Sequence, residues 1–323
     1  MDGNTWAISV IRATRAEPPG KASADAARRA TYGASLQQFD ELLDAARASG
    51  HAARPLPLFY ALSQAGRAIA AAHSEAWRVR SHGLAEDRSA AGDDPLLRRV
   101  QRSTRQDDAF SLVCAALKLP DPFGSSATAI EIGAAWAALP SLNGLLPHWS
   151  DEWYPVLQAF NEGPRDADRV MKLHAPTRAP RPRDGLPGAA YPSVPTGFEF
   201  EAAEYRELPL TPTAFRLGAV RWGSPSTTPS VFDVTYSGTR EHERWLLPAP
   251  PGSDQAFVPL TAWWVLLFGL SIFARYDPDL WSASLNLDSS VPLRLLLDDA
   301  LEAVPDLIAE ALISAGDDED DEQ

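Results

Sequence analysis

The chain has one cysteine, only three lysines (Lys21, Lys118 and Lys172), and no histidine cluster or glycine-rich loop of a recognisable kind. A lone Cys114 excludes an internal disulfide and any multi-cysteine zinc site, and it suits a reducing compartment. None of the six histidines falls into metal-ligand spacing such as His-Glu-x-x-His. Gly185-Leu-Pro-Gly188 contains a proline and has no following lysine, so it reads as a turn and no phosphate cradle is expected there. A Gly-x-Ser-x-Gly nucleophile elbow is missing too. No metal and no cofactor are therefore expected. The longest greasy stretch, Leu260 to Ala274, is short for a bilayer crossing and ends in Arg275-Tyr276-Asp277, which predicts a core helix and no membrane span. The first residues, Met1 to Trp6, lack a basic stretch followed by an apolar run, so no secretory signal is expected and the location is expected to be cytoplasmic.

What is present is ordinary for a globular chain: 323 residues, 45% hydrophobic and 22% charged, enough for one large domain or two smaller ones. The formal charge is −14, and six of the negatives lie in Asp317-Asp-Glu-Asp-Asp-Glu322, leaving a body of −8. That balance argues against a nonspecific grip on nucleic-acid backbone. Residues 317–323 are expected to form a disordered acidic tail. The excess of arginine over lysine fits GC-rich coding and by itself demands no guanidinium chemistry.

Hydrophobic periodicity predicts a mainly α fold. Ser35-Leu-Gln-Gln38 has capping-box form ahead of Leu36, Phe39, Leu42, Leu43 and Ala46, with Gly50 as the stop. A second helix starts at Pro55 or Pro57 and runs to about His73. The polar span 78–105 reads as loop with a short helical piece. Phe110, Val113, Cys114 and Leu117 predict another helix, and Thr128-Ala-Ile-Glu131 caps one through Leu139. Trp149, Trp153, Tyr154, Leu157 and Phe160 have the spacing of an amphipathic helical segment. Fourteen of the 28 prolines lie between Pro176 and Pro259, which excludes long helices there. Alternation at 198–200, 215–217, 231–236 and 244–247 predicts short strands. Helix resumes over 260–274, 291–304 and 305–315. The resulting organisation is an N-terminal helical region (1–175), a proline-rich β-containing insertion (176–259), C-terminal helices completing the core (260–316) and the tail (317–323).

Two apolar helical segments each carry an arginine where another leucine would be ordinary: Leu56 to Ala70 with Arg67, and Trp263 to Tyr276 with Arg275. Burying a guanidinium unpaired costs several kcal/mol, so each needs an anion or a hydrogen-bonding network. Ser63 precedes Arg67 by four residues and Ser271 precedes Arg275 by four, placing hydroxyl and guanidinium on one helical face. The blander reading makes each arginine a pin on helix carbonyls or on a buried acid. Ser81-His82-Gly83-Leu84 is a loop in which glycine frees the backbone and gives the imidazole room, for a proton shuttle or for a structural hydrogen bond. Arg67-Ala-Ile-Ala-Ala-Ala-His73 resembles the arginine–spacer–histidine pattern of HEPN-type ribonucleases, which implies metal-independent RNA cleavage. Ala68 stands where those families carry a polar residue. Six helical residues also set Arg67 and His73 roughly 120° apart.

Larger motifs resemble the YaaC-like family of bacterial proteins. They are Pro55-Leu-Pro-Leu-Phe-Tyr-Ala-Leu-Ser-Gln-Ala-Gly-Arg-Ala-Ile-Ala-Ala71, then His82-Gly83-Leu84, then Leu270-Ser-Ile-Phe-Ala-Arg-Tyr-Asp-Pro-Asp-Leu-Trp281, with Trp6 and Arg12-Ala-Thr-Arg-Ala-Glu-Pro-Pro19 at the start. The resemblance implies a cytoplasmic bacterial protein with a mostly helical fold, and it brings no catalytic residues.

The favoured expectation is a binding or regulatory module. In it Arg67, His82, Arg275 and Tyr276, with Ser63 and Ser271, line an interhelical pocket for an anionic group, a nucleotide or an RNA phosphate. Two other readings stay open. One is a HEPN-like ribonuclease in a toxin or phage-defence system, using Arg67 and His73. The other is a structural subunit that docks a protein partner through its tail and tryptophans. The sequence assigns no reaction and no oligomeric state.

Overall fold

A computed structural model describes residues 3–90, 92–104, 107–124, 127–140, 142–161, 170–176, 179, 190–194, 199–202, 207–208, 211–221, 236–237, 244–286 and 290–317. The fold is mainly α with a strand-containing region. It divides into two compact units, one made of residues 1–121 and 263–323, the other of residues 122–262. The boundary drawn from proline content at residue 176 thus lies inside the second unit.

The first unit begins with α1 (Gly3–Ala16), the single turn α2 (Lys21–Ala24), α3 (Ala26–Ala48) and α4 (Pro55–His73). Helix α3 starts nine residues before the capping box at Ser35. Asp25 is the true cap, its carboxylate accepting from the Ala27 and Arg28 backbone amides, while Ser35 is buried inside the helix. Helix α4 opens on Pro55 at its first turn, where a missing N–H costs nothing, and runs to His73 as its apolar content predicts. Where the sequence suggested loop, β1 (Leu84–Asp87) and β2 (Arg99–Arg102) pair antiparallel. Helix α5 (Ala109–Ala116) is capped by Asp108, which accepts from the Ser111 amide.

The second unit holds β3 (Ile130–Glu131), α6 (Ile132–Ala137), and an antiparallel sheet of β4 (Leu157–Asn161), β5 (Val170–Pro176), β6 (Glu199–Ala202), β7 (Glu207–Leu208), β8 (Thr211–Arg221), β9 (Tyr236–Ser237) and β10 (Arg244–Leu246). The strand order is β6-β8-β5-β4-β10-β9, with β7 also on β8. The aromatic segment at 149–160 is not helical: it leads through Pro155 into β4, because proline removes a donor and pushes its predecessor into extended backbone. Trp153 is fully buried and donates from its indole N–H to Glu131 at 2.7 Å. Of the strands expected at 231–236, residues 231–235 lie outside the described residues.

Helix α7 (Pro259–Tyr276) crosses the division between units, and from Trp263 onward it belongs to the first. It is long and apolar enough to cross a membrane, with mean hydropathy 1.2, yet 78% of it is buried inside the protein, as a core helix would be. The short α8 (Pro278–Ser284) and the long α9 (Ser290–Asp317) complete the unit. Two helices were expected where α9 is continuous: Pro305 lies inside it. The ring forfeits one backbone bond, but burial of Val304, Leu307, Ile308 and Leu312 holds the helix through it. Helix α9 packs on α1 and α4, and α3 packs along α4. The tail beyond Asp317 lies outside the described residues.

Candidate functional site

Helix α4 is nearly engulfed. Leu58, Phe59, Leu62, Ala65, Ile69 and Ala72 are buried around it, and on the α7 side Gly66 admits the Trp264 indole so closely that a β-carbon there would lie 2.3 Å from Cη2. Before His73, only Leu56, Pro57, Tyr60, Gln64 and Arg67 reach the surface. Their three- and four-residue spacing makes one narrow row along the helix.

Arg67 ends this row. Its Nε is buried and has no hydrogen-bond partner, and among the described residues its guanidinium makes neither a hydrogen bond nor an ion pair. Other arginines of this unit behave differently. Arg28 donates to the carbonyl oxygens of Ala71 (3.1 Å), Ser74 (2.7 Å) and Glu75 (3.1 Å), closing the end of α4. Arg54 donates to Ala46 and Ser49 at the end of α3 and pairs with Asp298. Arg98 bridges Glu86 and Asp277. The pin role suggested for Arg67 and Arg275 is thus filled by Arg28 and Arg54, which cap orphan helix carbonyls.

Arg275 is not in a dry recess. The last turn of α7 emerges at Ala274, and Arg275 and Tyr276 are exposed. The guanidinium donates to the Tyr60 hydroxyl (3.3 Å) and the Tyr276 hydroxyl (2.7 Å), and it lies 4.6 Å from the Tyr276 ring centroid. Both partners are neutral, so its charge is solvated and not cancelled. Tyr60 and Arg67 are seven residues apart, which places them on the same side of α4 and roughly 10 Å apart along it. The two arginines therefore belong to opposite ends of one surface row, not to a single interhelical pocket.

The two serines do not join them. Ser271 is buried, and its hydroxyl donates to the Phe268 carbonyl at 2.7 Å, which uses its only proton within the helix. Ser63 is buried beside the row, whose visible polar position is Gln64. His82 is half-buried, with ring centroids 5.6 Å from Phe59 and 5.1 Å from Phe268, and its Nδ1 accepts from the Leu84 amide at 3.4 Å. Gly83 has φ +93°, and a β-carbon there would meet Asp108 Oδ1 at 2.0 Å. The Ser81–Leu84 loop thus lies against the cap of α5, and its glycine is required by packing.

A family model described as YaaC-like Protein matches residues 9–312, nearly the whole chain. The chain belongs to the YaaC-like family. No curated protein and no solved structure matches it.

Within this YaaC-like fold, His73 packs on Gly20, where a β-carbon would approach its Nδ1 to 3.0 Å. It stands about a third of a turn around α4 from Arg67. No group of three or more metal-ligating side chains occurs among the described residues. Sequence reasoning passed over Tyr60 and Gln64. Their signal was available as the i−7 and i−3 neighbours of Arg67 in an otherwise apolar helix.

Proposed function

We propose that this protein is a cytoplasmic binding or regulatory module that recognises an anionic group of the phosphate class on the α4 row, with Arg67 as the primary contact. One observation carries the reading: Arg67 keeps a buried Nε with no internal acceptor, while the guanidiniums of Arg28 and Arg54 donate to carbonyl oxygens. A guanidinium left in that state is stabilised by an anion that brings two acceptor oxygens in one plane. Arg275, held by neutral tyrosines, adds positive potential at the far end of the row. The reading assigns binding and no reaction.

The test is thermal denaturation of the full chain with inorganic pyrophosphate. A ligand that prefers the folded state stabilises it by about 2.7 kcal/mol at a hundredfold excess over its dissociation constant. Wild type is expected to show a concentration-dependent rise in Tm, and Arg67→Gln to show none. An equal rise in both proteins would remove Arg67 from the site and end the proposal.

A further inference from the structure

The row offers more than a charge. Tyr60 and Tyr276 are 39% and 56% exposed, which is unusual for two large rings held by the same guanidinium. Behind Tyr60 stands a packed aromatic cluster: Phe59 lies 5.6 Å from Tyr60 and 5.3 Å from Phe268, and both flank His82. That backing supports the Tyr60 ring without covering it, while the Tyr276 ring lies against the Arg275 guanidinium. Each tyrosine hydroxyl accepts from Arg275, which leaves its own proton to donate to a ligand. One end of the row therefore carries two exposed aromatic rings with hydroxyl donors, and the other end is an uncompensated guanidinium.

Resting on the anion-binding reading above, we infer that the ligand is a free nucleoside diphosphate or triphosphate: its base stacks on the Tyr60–Tyr276 platform and its terminal phosphate reaches Arg67. The gap between the two ends is roughly 10 Å along α4. A ribose and two phosphate groups bridge a gap of that order, whereas inorganic phosphate fills only one end. Helix side chains lean toward the N-terminus, so Arg67 leans along the row toward Gln64 and Tyr60. Gln64, midway, supplies an amide that can donate to the bridging portion. Base–aromatic stacking tolerates any base, so the platform selects the class nucleotide and not a particular base.

The row also argues against a long nucleic acid. A polynucleotide gains its affinity from many phosphate contacts, and here the row carries two guanidiniums, Arg67 and Arg275, on a chain of net charge −14. A short ligand with one strong phosphate contact and one stacked base suits that charge.

Titration calorimetry on the full chain, with pyrophosphate, the four ribonucleosides, the four ribonucleoside diphosphates and a ten-nucleotide RNA, separates the claims. Wild type is expected to bind at least one nucleoside diphosphate about tenfold or more tighter than pyrophosphate. Tyr60→Leu and Tyr276→Leu are each expected to erase most of that advantage while leaving pyrophosphate affinity unchanged, and Tyr60→Phe to keep most of it. Arg67→Gln is expected to lose both ligands. Equal affinity for pyrophosphate and every nucleotide, insensitive to the tyrosine changes, would overturn the platform and leave the anion site standing. Tighter binding of the RNA than of any diphosphate would overturn the choice of a free nucleotide. No binding of any phosphate by wild type would end both readings together. The tyrosines are exposed, so an unchanged Tm serves as the check that each variant is folded.

Discussion

Arg28 donates to three carbonyl oxygens at the end of α4, so replacing it with leucine strands two acceptors in a buried place and a third in a half-buried one. Leaving buried polar groups unsatisfied costs about 1–3 kcal/mol each before relaxation. Arg28→Leu is expected to lower stability by about 2–4 kcal/mol, read from the urea midpoint at constant slope. Arg67→Leu should do the opposite of what its position in a buried helix suggests. It removes a charge with no internal partner, so stability is expected to stay within about 1 kcal/mol of wild type or to rise. A loss as large as that of Arg28→Leu would mean that Arg67 has a structural duty. Gly66 gives a second test of packing at single-residue scale. Alanine is the better helix former by about 1 kcal/mol, but its β-carbon would press on the buried Trp264 ring. Overpacking of about 1–3 kcal/mol outweighs the propensity gain, so Gly66→Ala is expected to lower the urea midpoint.

At the scale of elements, α4 was legible because its own residues decide it: proline at the first turn and apolar side chains on most of its circumference. The start of α3 was not, since the four-residue pattern at Ser35 mimics a cap while the Asp25 carboxylate makes the actual one. β4 was misread because aromatic spacing imitates a helix, and Pro155 carried the contrary signal. The site was half legible. Arg67 stands out by composition, but the exposure of Arg275 and its tyrosine partners depends on where α7 emerges, which no local pattern encodes. On α9, burial first and then Glu302 and Asp299 raise the Asp306 carboxyl above its ordinary value, and burial followed by Asp306 raises Glu310. A carboxyl with a raised folded value contributes stability that is whole below its unfolded pKa and is lost as pH climbs through the folded one. Asp306→Asn is therefore expected to raise Tm near pH 7, with the gain vanishing below roughly pH 4. A Tm gain that persisted in acid would show that packing, not ionisation, is the cause.

On the scale of the whole molecule, the first unit is discontinuous: residues 1–121 close only with residues 263–323. Its largest buried rings include Trp263, Trp264 and Phe273, all on α7. A chain truncated after Ala262 keeps α1 to α5 but lacks α7, whose Trp264 and Phe268 pack against α4 and α5. It is expected to lose the near-ultraviolet tryptophan signal of a packed first unit and to unfold without a cooperative transition. Retention of a sharp transition assigned to residues 1–121 would refute α7 as the organiser of that core.

The same discontinuity has a temporal side. On the ribosome, the greasy flank of α4 emerges well before Trp264 is made, because the whole of residues 122–262 is translated in between. At ordinary elongation speeds that interval lasts roughly 7–28 s. During it α4 can pair with α3, but the flank that meets Trp264 and Phe268 stays open to water until α7 is made.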